Sequence, residues 1–181
     1  MRRAFVALAF LVLTAGVASA ASEPGWNLYR PDRAAPRDAV TRALRTNVNV
    51  GAVVLACERG VLQLQLHPST DGPLRPAGVP LDWMKDAPRA DLTIDGRSFP
   101  VAIAFSDEHA VVSDRQERRL AALSPALLDA LEAGRTLQVR LDLVREAAGE
   151  PAAFDGEVRI DLQAGEGPAA LAGVRRDCKG R

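Results

Sequence analysis

The sequence predicts a β-rich α+β domain: an antiparallel sheet or sandwich of about six to eight strands with two short helices, the C-terminal one fastened to an early strand by a disulfide. Three observations predict it. Apolar residues alternate at period two in segments such as Leu62-Gln63-Leu64-Gln65-Leu66 and Leu137-Gln138-Val139-Arg140-Leu141, which turns one face of each strand toward a core. Two later segments switch to helical spacing and carry helix-boundary residues. The 181 residues include two cysteines, Cys57 in an early apolar run and Cys178 close to the C-terminus.

At the N-terminus, Arg2 and Arg3 precede an uncharged run from Ala4 to Val17 and the small residues Ala18-Ser19-Ala20. That order predicts a secretory signal peptide over 1–20, cleaved after Ala20, and a periplasmic or secreted protein. The run is shorter than the ~20 residues a membrane-spanning helix needs. No membrane span is therefore expected in the mature chain. An exported chain with a pair of cysteines and no metal-ligand spacing around them is expected to join Cys57 to Cys178.

Residues 21–45 read as a lead-in segment that carries Pro24, Pro31 and Pro36, with Trp26 and Tyr29 expected to dock on the body. A single β-rich domain is expected over 46–181. Residues 52–67 predict a hairpin: Val53, Leu55 and Cys57 share one face, Glu58-Arg59-Gly60 turns the chain, and Leu62, Leu64 and Leu66 alternate with glutamines expected to be wet. Between Pro68 and Arg89 five prolines exclude a helix or a central strand over most of the segment. Trp83 and Met84 inside it are a candidate interaction loop, set against a reading in which Trp83 folds back to plug the core.

Asp95-Gly96 predicts a second hairpin over 92–105, with Pro100 suggesting an edge strand or a bulge. Ser106 to His109 is a turn and Ala110 to Ser113 a short strand. Ser124-Pro125 opens a helix that Gly134 closes, with Leu127, Leu128 and Leu131 as its apolar stripe. Leu137 to Leu143 and Val158 to Leu162 are alternating strands. Gly167-Pro168 opens the last helix, where Leu171, Val174 and Cys178 share one face, aimed at the sheet.

The run Val53-Val54-Leu55-Ala56-Cys57, the segment Leu131 to Val139 and the close Ala169 to Cys178 together resemble a group of exported bacterial proteins. These are the invasion-associated locus B proteins and the periplasmic accessory proteins of type VI secretion. The resemblance spans about residues 46–178 and rests on short structural motifs. It implies a β-rich fold with the same disulfide and a non-enzymatic accessory module, with no catalytic residues to carry over. Its partner would be another envelope protein or envelope component.

Charge excludes some functions. Lys plus Arg equal Asp plus Glu at 23 each, and removing 1–20 takes away two arginines and no acid, leaving a slightly acidic chain. Such a chain lacks the basic excess that neutralises phosphates, so nucleic acid is not an expected partner. His67 and His109 are the two histidines, and no metal-ligand spacing surrounds either, so no metal and no cofactor is expected. The cluster Asp107, Glu108, His109 and Asp114, with Ser106 beside it, is the candidate catalytic group of an alternative small hydrolase. A further alternative is a small apolar ligand held between the Leu62–Leu66 and Leu137–Leu143 faces. Arg118-Arg119 and Arg175-Arg176 are expected on solvated helix faces.

Overall fold

A computed structural model describes residues 25–30, 37–41, 45–70, 72–106 and 109–179. The expected signal peptide lies outside the described residues. Twelve strands and two helices are assigned: β1 (Asn27–Tyr29), β2 (Asp38–Thr41), β3 (Arg45–Thr46), β4 (Val50–Glu58), β5 (Val61–Pro68), β6 (Met84–Ile94), β7 (Arg97–Phe105), β8 (Ala110–Ser113), β9 (Arg115–Glu117), β10 (Leu120–Ala122), α1 (Pro125–Ala133), β11 (Thr136–Val144), β12 (Gly156–Asp161) and α2 (Gly167–Lys179). Ten of the strands form one antiparallel sheet in the order β1-β2-β4-β5-β8-β7-β6-β11-β12-β3, and β9 and β10 form a separate hairpin.

The long strands follow the expected periods. β4 and β5 pair Cys57 with Leu62, Leu55 with Leu64 and Val53 with Leu66. The sheet curls, so these inner faces share one buried cluster with Leu92, Leu137, Val139, Leu141, Val158 and Ile160 from the β6, β11 and β12 half. The Leu62–Leu66 and Leu137–Leu143 faces are thus packed core. Strand β7 is where the halves join. Arg97–Val101 pairs with β6, and Ala102–Phe105 pairs with β8. Pro100 therefore lies in an internal strand rather than at an edge, tolerated because the ladder to β8 begins two residues after it.

Both ends of the sheet are very short strands, β1 and β3, which limits the unpaired backbone available for aggregation. Strands β1 and β2 lie in the lead-in segment and extend the sheet from β4. Trp26 is fully buried there as expected, while Tyr29 is exposed. A backbone clip holds the segment. Trp26 N–H donates to Ala164 O at 3.1 Å and Glu166 N–H donates to Trp26 O at 2.8 Å. Gly165 permits this approach: its φ is +66°, and a Cβ there would stand 2.7 Å from Trp26 O.

Helix α1 starts at Ser124, whose hydroxyl accepts Leu127 N–H at 3.2 Å, with Pro125 in its first turn. It buries Leu127, Leu128 and Leu131. Helix α2 packs on α1 and on β1, β2, β4 and β5, burying Leu171, Val174 and Cys178. Cys178 is bonded to Cys57 of β4 with a Cα–Cα distance of 5.6 Å.

One residue earlier in α2, Asp177 receives two hydrogen bonds from the Arg37 guanidinium, at 2.7 and 3.2 Å. The hydrogen bond from Arg37 holds the Asp177 carboxyl below its ordinary 3.8. A lowered carboxylate adds stability above its unfolded value, and that contribution disappears as pH falls through the lowered value. An Asp177→Asn variant is therefore expected to be less stable than the parent at neutral pH. The difference should shrink as acid titration passes below 3.8, read as paired melting temperatures across a pH series.

Candidate functional site

The proline-rich segment ends in an exposed aromatic edge. Leu81–Trp83 is a single 3-10 turn after Pro80. Leu81 and Trp83 expose 56% and 58% of their surfaces, whereas Met84 packs against the core. Trp83 thus does not plug the core. The turn is fixed by its backbone: Trp83 N–H donates to Pro80 O at 3.2 Å, and Arg145 N–H donates to Trp83 O at 2.8 Å.

Residues 84–89 belong to β6 in the middle of the sheet, against the expectation drawn from proline density. The pairing with β11 explains how. Arg89 pairs with Asp142 and Met84 with Val144, so four residues of β6 oppose Leu143 alone. Pro88 sits within this bulge, where no ladder donor is required of it.

The bulge gathers charge around one buried carboxylate. Asp142 is fully buried, and Lys85 and Arg89 both donate to it, Arg89 Nε at 2.7 Å. Lys85 also donates to Glu146 Oε1 at 2.6 Å. Burial alone would pull the Lys85 ammonium down. Its hydrogen bonds to Asp142 and Glu146 outweigh that and raise it. The same hydrogen bond lowers Glu146.

Asp155 sits on the other side of the end of β11, accepting Leu143 N–H at 3.0 Å and Val144 N–H at 2.7 Å. Burial pushes its carboxyl up against the pull of those donors. Arg145 reaches Asp86 at 3.1 Å, and Phe154 lies under the Arg140 guanidinium, 4.4 Å from ring centroid to carbon. Trp83 is therefore mounted on a rim whose backbone and charged groups are held by residues of β6, of β11 with the residues that follow it, and of the segment before β12.

The candidate catalytic cluster is arranged differently. Asp107 and Glu108 lie outside the described residues. His109 precedes β8 and Asp114 follows it, a separation of roughly 16 Å along an extended strand. Asp114 accepts Ser124 N–H at 2.7 Å, and Ser106 donates its hydroxyl to the His109 carbonyl at 2.9 Å rather than to the ring. The cavity beside His109, lined in part by Leu74, Phe105 and Ser106, is about 10 Å3, the room of a single water. The His109 ring instead stacks on His67, with centroids 4.8 Å apart.

This stack was hidden in the sequence because it crosses strands, one position beyond the Leu66–Ala110 pair. His67 continues a polar row. Its Nε2 meets Gln65 Oε1 at 3.0 Å, and the Gln65 amide donates to Gln63 Oε1 at 3.1 Å. Gln63 and Gln65 are buried rather than wet, at 3% and 8% exposure. They are tolerated there because they bond to each other. Among the described residues no group of three or more His, Cys, Asp or Glu side chains could hold a metal ion. No described helix is long and apolar enough to cross a membrane.

Arg118 and Arg119 form the turn of the β9–β10 hairpin, not a helix face. Arg175, in α2, is paired with Asp129 and Glu132 of α1. No family model matches the chain, and no curated protein or solved structure matches it.

Proposed function

We propose that this chain is an exported, non-enzymatic accessory module of the cell envelope that binds a protein partner through the Trp83 edge. The observation that carries the reading is the combination of 58% exposure and a fixed backbone at Trp83. A large aromatic side chain held in one place gains contact area with little loss of conformational freedom, which is why such residues anchor protein interfaces. Leu81 adds apolar surface beside it, and the Asp86–Arg145 pair supplies a charged rim.

Export is supported by the Arg2-to-Ala20 pattern, and an oxidising compartment suits a disulfide that spans the fold. The resemblance to envelope accessory proteins points the same way. The placement of His109 and Asp114 at opposite flanks of β8 supports the binding reading over the catalytic alternative.

Site-directed photocrosslinking in the native envelope tests the reading. A photoreactive phenylalanine analogue at Trp83 is expected to give one discrete adduct with another protein, while the same analogue at exposed Tyr29 gives none. Trp83→Ala should compete poorly for that partner yet unfold within about 0.5 kcal/mol of the parent, as exposed positions do. Equal labelling from Trp83 and Tyr29 would sink the proposal.

A further inference from the structure

A cavity of about 280 Å3 opens beside the disulfide at the margin of the packed core, and it shares no lining residue with the Trp83 edge. Val61, Leu62, Leu123 and Leu128 give it an apolar floor, and Cys178 forms part of the wall. Arg115, Arg175 and Lys179 stand around that floor with Glu117 as the one acid in the lining. Arg115 is paired with Glu117, and Arg175 is held by Asp129 and Glu132 at 2.5 and 3.1 Å. Lys179 has no described carboxylate partner.

The adjacent β9–β10 turn adds uncompensated charge. Arg118 and Arg119 occupy its two central positions with φ of +51° and +66°. A two-residue turn of that kind is suited by Asn-Gly, and larger side chains adopt it at a cost. Arg118 donates to the Arg59 carbonyl at 3.1 Å, so it bridges to the β4–β5 turn next to Gly60, which lines the cavity. Among the described residues Arg59, Arg118, Arg119 and Lys179 form no ion pair. Apart from that one bond from Arg118, nothing in the packing calls for arginine in a turn that prefers Asn-Gly.

From this juxtaposition we infer that the cavity binds a single-chain anionic amphiphile. The alkyl tail lies on the Val61, Leu62, Leu123 and Leu128 floor, and a carboxylate or phosphate head meets the Arg118–Arg119 turn and Lys179. Each half needs the other. The apolar floor strengthens the charge contact by lowering the local dielectric, and the cations select the sign of the head. An acidic peptide would leave the floor uncovered, and a neutral lipid would leave the cations unmatched.

Calorimetric titration of the purified, oxidised protein tests this with decanoate, decyl phosphate, decyltrimethylammonium and butyrate, each below its aggregation concentration. Decanoate or decyl phosphate is expected to bind, with affinity falling as salt rises, and the preferred one identifies the head. The other two should bind at least tenfold more weakly, roughly. The variant R118N/R119G installs the preferred turn, so its melting temperature should rise while its affinity for the anionic probes falls by roughly tenfold. A purely structural role for the arginines cannot yield that pair of results. The proposal is overturned if decyltrimethylammonium binds as well as decanoate, if butyrate does, or if R118N/R119G binds the anionic probes like the parent.

Discussion

Replacing both Cys57 and Cys178 by alanine is expected to lower stability by about 4 to 5 kcal/mol, from the loop-closure entropy the bond removes from the unfolded chain. The bond spans a sequence separation of 121, and it ties β4 in the middle of one half-sheet to the last helix. A loss of that size is comparable to the whole net stability of many domains of this length, about 5 to 15 kcal/mol. The native contacts of α2 survive the change: Leu171 and Val174 still pack, and Arg37 still holds Asp177. The effect therefore falls chiefly on the unfolded ensemble. Urea unfolding should show a lower midpoint together with a steeper slope, because an uncrosslinked chain exposes more surface on unfolding. An unchanged midpoint in the double variant would falsify the constraint argument.

Asp142→Asn is expected to cost about 2 to 4 kcal/mol, because it removes the charge that two cations share in a buried position. Asp142 has no exposed surface, and Lys85 is largely enclosed beside it, while Arg89 keeps more than half of its side chain in solvent. The solvent around Arg89 places the expected loss below that of a wholly buried triad. Lys85 would retain Glu146, itself lowered by that hydrogen bond, so the network weakens without emptying. The double variant Lys85→Met, Asp142→Leu should recover part of the loss, since it exchanges the most enclosed pair for apolar side chains and leaves Arg89 and Glu146, which both reach solvent, to be hydrated. Chemical denaturation of the two variants decides it. A double variant less stable than Asp142→Asn would show that the geometry of the bulge, rather than the stranded charge, sets the cost.

The Asp142 network also bears on the proposed interface. Lys85 and Asp142 join β6 to β11 at the bulge, and the Arg145 N–H that fixes Trp83 comes from the residue just beyond β11. Loss of the network would therefore loosen the platform under Trp83, which links stability at this end of the sheet to recognition.

Much of this fold was legible in the chain. The alternating leucines of β5 and β11, the Asp95-Gly96 turn and the Ser124-Pro125 helix start each report their own conformation through neighbouring residues. The shared face of Leu171, Val174 and Cys178 was readable for the same reason. The strands of two to four residues were not, which is why twelve strands stand among the described residues where about six to eight were expected. A segment such as Arg115–Glu117 is too short to display a period, and Arg118-Arg119 carries none of the glycine or asparagine that marks such a turn.

The site depended on contacts between distant segments. Proline density argued correctly that 68–80 would not form a long element, yet it misjudged 84–89, where a bulge absorbs Pro88 inside the sheet. The burial of Gln63 and Gln65, the stacking of His67 on His109 and the meeting of Lys85, Arg89 and Asp142 all follow from strand order. Local sequence sets torsions, caps and the inward face of each strand, because those depend on neighbours three or four residues away. Which strands lie side by side, and so which side chains share a buried charge, an exposed aromatic edge or a cationic hollow, is settled by the packing of the whole sheet around one core.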